Sequence, residues 1–65
     1  MSLTRRENEV LCLLCKGYSY KEISGELFVS MDTVRFHIHN LLSKFSAKDK
    51  AQLIVFAIQH KSVSA

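Results

Sequence analysis

The sequence contains no proline and only two glycines, Gly17 and Gly25. No flexible linker is therefore visible, and the 65 residues read as one domain with one small core. A chain of this size buries only ~60% of the surface that its unfolded form exposes, so it is marginal alone and gains from a partner. The longest apolar run, Leu53 to Ile58, is too short to span a bilayer. The first ten residues, MSLTRRENEV, lack the apolar segment of a signal peptide. The expectation is a soluble, cytoplasmic chain with no membrane contact. There is no internal repeat and no low-complexity tract. No set of residues suggests hydrolytic or redox catalysis, and nothing calls for a cofactor.

Acidic residues are scarce in the second half. From Met1 to Ser30, Arg5, Arg6, Lys16 and Lys21 balance Glu7, Glu9, Glu22 and Glu26. From Met31 onward, Arg35, Lys44, Lys48, Lys50 and Lys61 face only Asp32 and Asp49. The whole net charge of +3 lies there, which favours a polyanionic partner.

The excess begins with SMDTVRFHIHNLLSKF, Ser30 to Phe45, the stretch with the clearest two-faced pattern. At about 100° per residue, Val34, Ile38, Leu41, Leu42 and Phe45 fall in one core-facing stripe. Arg35, Phe36, His39, Asn40 and Ser43 lie opposite, with Thr33, His37 and Lys44 on a flank. Ser30 suits an N-cap, and Asp32 suits the positive end of the helix. A helix with one buried face and an outer face of Arg, His, Asn, Thr and a lone aromatic suggests a reader of DNA bases.

The remaining elements follow from caps. Thr4-x-x-Glu7 and Ser19-x-x-Glu22 are capping boxes, and Asp49-x-x-Gln52 is a third such start. Gly17 stands where a helix end wants a left-handed residue. Helices are predicted at about Arg5–Lys16, Tyr20–Leu27, Met31–Phe45 and Lys50–His60, with no sheet. Val10, Leu11, Leu13 and Leu14 give the first its apolar face, and Ile23 and Leu27 serve the second. Ser24 and Gly25 are small enough to let another helix cross closely. The short link from the second helix to the third matches helix-turn-helix spacing. The last helix carries two apolar stripes: Leu53, Ile54 and Ala57 for the core, and Ala51, Val55 and Ile58 roughly opposite. The second stripe needs a partner, which predicts a dimer.

Two patterns invite sharper readings. Cys12-Leu-Leu-Cys15 is a CxxC, but it lies within an apolar helix and has no second ligand pair, so small packing residues are the better reading. His37 and His39 are two apart on a helix and point roughly 200° from each other, so they cannot share a metal ion.

The segments TRRENEVL (Thr4 to Leu11), KGYSYKEIS (Lys16 to Ser24), LFVSMDTVRFHI (Leu27 to Ile38) and LLSKF (Leu41 to Phe45) resemble the LuxR/GerE-type DNA-binding domain, which includes the output domains of NarL- and FixJ-like response regulators. The resemblance runs from about Leu3 to Ala57. It implies an all-α, four-helix (tetrahelical) helix-turn-helix domain of a transcriptional regulator. The third helix would enter the major groove and the fourth would form a homodimer contact. Family members carry a receiver or ligand-binding domain upstream, so the chain is expected to be the C-terminal piece of a longer regulator. RNA polymerase is a further partner to expect.

Carried over by position, the base-reading places fall on Arg35, Phe36 and His39. Phe36 could touch a thymine methyl or, alternatively, pack on another protein surface. Thr33 and Lys44 match positions that meet the DNA backbone, and Ser30, Lys21, His37 and Asn40 are further backbone candidates. His37 is divided between phosphate contact and local packing. Lys21 and Lys48 could equally be solvated charges. Tyr20, Phe36, His39, Ser46 and Lys50 depart from the common family residues. Arg35, Phe36, His39 and Lys44 are all expected at the surface, replaceable without loss of the fold. Two rivals share the helix-turn-helix: a sigma-factor region-four domain, and a module that binds protein instead of DNA.

Overall fold

In a computed structural model, which describes residues 2–60, four helices follow one another: α1 (Arg5–Cys15), α2 (Tyr20–Leu27), α3 (Met31–Phe45) and α4 (Lys50–Gln59). No strand occurs among the described residues. The helix starts are set by side chains that satisfy the free amides of the first turn. Thr4 Oγ1 accepts from the Glu7 amide at 3.1 Å, and Glu7 Oε1 accepts from the Thr4 amide at 3.0 Å. Ser19 and Glu22 repeat this exchange at 3.1 and 2.8 Å. Ser30 Oγ accepts from the Thr33 amide at 3.1 Å. The third box closes differently from the expectation. Asp49 accepts from the Gln52 amide, but Gln52 Oε1 reaches back to the amide of Lys48 instead of Asp49.

The ends of α1, α2 and α3 are left-handed turns, whereas α4 closes on a right-handed cap at His60. Gly17 has φ 94°, and the amide of Tyr18 closes the turn on the Leu13 carbonyl. Phe28 (φ 57°) and Ser46 (φ 53°) do the same work after α2 and α3 without glycine's freedom. Phe28 is 94% exposed, so its ring gains nothing from the core in return for that backbone geometry. The predicted ends of α1 and α4 each run one residue long, because Lys16 and His60 are caps and not helical members.

Val10, Leu11 and Leu14 of α1, Ile23 of α2, Val34, Ile38, Leu41 and Phe45 of α3, and Leu53 and Ala57 of α4 form one core. α3 packs against each of the other three helices, whereas α2 and α4 do not pack on one another. The α3 stripe is therefore the seam about which the domain closes. Leu42, at its margin, is only partly buried. Gly25 corrects the close-crossing expectation: it is exposed, and a Cβ there would meet nothing within 4 Å.

Candidate nucleic-acid interface

Burial of Val34, Ile38, Leu41 and Phe45 fixes the rotation of α3 and so presents its other face to solvent. Arg35, Phe36 and His39 are exposed, with Phe36 at 61%. Arg35 Nη1 donates to Asp32 Oδ1 at 3.0 Å. Both side chains are open to water, so this pair is weak and a base edge or phosphate can replace it. The Phe36 ring meets His37 edge-on, with centroids 5.7 Å apart. His37, Asn40 and Thr33 are half-buried at the edges of the face. The hydroxyls of Ser30 and Thr33 lie 2.9 Å apart, at the N-terminus of α3. Lys21 is exposed near the start of α2 and makes no ion pair among the described residues.

Lys44 is placed otherwise. Its ammonium donates to Glu7 Oε1 at 2.6 Å and to the Ser2 carbonyl at 3.1 Å. Glu7 is 3% exposed and is the buried charged residue among the described residues. The Lys44 ammonium, followed by the Thr4 amide, holds the Glu7 carboxyl below the usual carboxylate range, against the upward push of burial. This corrects the expectation that Lys44 can be replaced without consequence for the fold. Its positive charge compensates a buried carboxylate and ties the end of α3 to the start of α1. The sequence carried half of this signal, since Glu7 was legible as a capping residue. Its second partner, 37 positions away, was not.

On α4, Leu53 and Ala57 face the core and Ile54 is half-buried. Ala51, Val55 (50%) and Ile58 (62%) form an exposed apolar stripe. Cys12 and Cys15 carry free thiols in half-buried positions on α1, and burial, with Cys12 nearby, pushes the Cys15 thiol up. An open cleft of about 340 Å³ between α1 and α2 is lined by Asn8, Glu9, Cys12, Leu13, Glu26 and Leu27. It contains no residue of the α3 face.

A family model described as bacterial regulatory proteins, luxR family, matches residues 1–57. The chain belongs to the luxR family. Among curated relatives, it is 46% identical to the transcriptional regulatory protein LiaR of Bacillus subtilis over 63 residues, covering 97% of this chain and 30% of LiaR. It is 41% identical to the response regulator VraR of Staphylococcus aureus, covering 94% of this chain and 29% of VraR. The chain thus spans about a third or less of the length of these relatives. Of solved structures, the transcription factor GerE superposes with a TM-score of 0.87 at 39% identity, covering 95% of this chain and 92% of GerE. The Vibrio cholerae VqmA dimer, a LuxR-type receptor, gives a TM-score of 0.92 at 39% identity over 94% of this chain and 28% of VqmA. The chain is accordingly a four-helix, LuxR-type helix-turn-helix DNA-binding domain of the regulator kind, and its family is one of transcription regulators and not of enzymes. The sigma-factor reading gives way to this match. No described helix is long and apolar enough to cross a membrane.

Proposed function

We propose that α3 enters the major groove of duplex DNA and that Arg35, Phe36 and His39 read base edges there. The observation that carries this reading is the exposure of these three residues opposite the buried Val34–Ile38–Leu41–Phe45 seam. Arg35 offers a planar fork for guanine, and Phe36 offers an apolar edge for a thymine methyl. Ser30, Thr33, His37 and Asn40 flank that face as backbone contacts, and Lys21 adds one from α2, which crosses the sugar–phosphate chain as the first helix of the motif does. Lys44, the remaining backbone candidate, is paired with Glu7, and the carboxylate cancels much of its field at a phosphate.

The exposed stripe of Ala51, Val55 and Ile58 supports a homodimer through α4. Two half-sites would then lie about one helical turn, ~10 bp, apart. As a LuxR-type output domain, the chain would deliver the decision of an upstream sensing domain to a promoter. The test is titration of the protein with random duplex DNA at several salt concentrations. Neutralising a few phosphates per protomer gives a steep slope, near −0.9 per phosphate on logarithmic axes. A flat response would remove the electrostatic mode and favour a protein-binding module.

A further inference from the structure

The first helical residues of α2 and α4, Tyr20 and Lys50, meet although those two helices do not otherwise pack together. The Lys50 ammonium stands 5.4 Å from the centre of the Tyr20 ring, within cation–π range. Lys21 follows Tyr20 in sequence, and Lys48 precedes Lys50 by two residues. All three lysines are exposed, and none is ion-paired among the described residues. The acids beside them are committed elsewhere. Glu22 accepts the Ser19 amide and Asp49 accepts the Gln52 amide, each at 2.8 Å. One corner of the domain therefore concentrates cations whose neighbouring carboxylates are turned onto the backbone. α2 is the helix that crosses the DNA backbone in a helix-turn-helix, so this corner lies on the path of the phosphates.

We propose that Lys50 contacts a DNA phosphate and that the Tyr20 ring positions it, extending the backbone footprint from α3 to the α2–α4 corner. This rests on the DNA-binding reading above. It gives α4 a third task beside core packing and dimerisation. The Tyr20 ring is partly buried against the core, which holds it in place beside the ammonium. Lys50 adds affinity without sequence preference, because a phosphate is the same at every step.

The experiment measures binding of wild type, Lys50→Ala, Lys50→Arg, Tyr20→Phe, Tyr20→Leu and the Tyr20→Leu/Lys50→Ala pair to random duplex across a salt series, with a thermal melt of each. Lys50→Ala should make the salt slope shallower by about 0.9, the release of one counterion, with the melt unchanged. Lys50→Arg should keep the slope. Tyr20→Leu should weaken binding roughly two- to five-fold, the size of an exposed cation–π preference, and Tyr20→Phe should not. In the Lys50→Ala background, Tyr20→Leu should cost nothing further. An unchanged slope for Lys50→Ala in a protein that still binds duplex steeply overturns the phosphate contact alone. An equal Tyr20→Leu loss in both backgrounds overturns the positioning role. Wild type that does not bind duplex overturns the underlying reading and this proposal together.

Discussion

Replacing Lys44 with Met keeps much of the side chain's bulk and removes its charge, so it isolates the Lys44–Glu7 pair. Deleting one partner of a fully buried pair costs ~3–5 kcal/mol, because the other charge is left without compensation. Glu7 is 3% exposed, but Lys44 keeps 34% of its side chain in water, and the Thr4 amide still donates to Glu7 after the change. Water entering from the Lys44 side softens the penalty, which brings the expected loss to about 2 kcal/mol. A domain of this size shifts by ~4–8 °C per kcal/mol, so the melting temperature followed by circular dichroism should fall by roughly 8–16 °C at neutral pH. The pH dependence gives a second reading. The folded pKa of Glu7 is depressed, chiefly by Lys44. Its stabilisation is therefore fully present above the unfolded carboxylate value of about 4.3, and it is lost as pH falls through the lower folded value. In Lys44→Met that acid limb should flatten. Adding Glu7→Gln to Lys44→Met should recover part of the loss, since no buried charge then remains. A melting temperature equal to wild type, with an unaltered acid limb, would refute this reasoning.

The other predictions concern sites with simpler surroundings. Gly25→Ala should stabilise the domain by about 0.5–1 kcal/mol, since Gly25 lies in a helix and an added methyl meets nothing; a thermal melt checks this. Val55→Glu should disfavour the proposed α4 dimer by placing a charge in its apolar contact, read as lost cooperativity on paired half-sites with single half-site affinity kept. Phe36→Ala should weaken a preference for thymine while leaving the salt slope unchanged, because a ring displaces no counterion.

Most of the fold was written locally. Thr4, Ser19, Ser30 and Asp49 each announce a helix within four residues, and all four act as caps. The α3 stripe was legible because a period of 3.6 needs no knowledge of the neighbouring helices. For the same reason the exposed face was legible as whatever remained opposite it. What stayed hidden depends on distant parts of the chain. Lys44 reads alone as a surface lysine, and only the folding of α1 against α3 brings the Glu7 carboxylate to it. Tyr20 and Lys50 are separated by thirty positions, and no periodic signal links them. Gly25 misled because a small residue in a helix signals close packing only when another helix is there, and none is. The left-handed Phe28 had no signal at all, since glycine or asparagine would be expected at such a φ.

Selection of bound sequences from a pool of random duplexes, run in parallel on wild type and Arg35→Ala, tests most directly whether the outer face of α3 reads DNA. Wild type should enrich a defined half-site. Arg35→Ala is an exposed change that should leave the melt intact and relax the preference at one base pair by ~1–3 kcal/mol of discrimination, the worth of one bidentate contact. The rest of the half-site should remain. An identical half-site with undiminished preference at every position in both proteins would contradict base reading by Arg35.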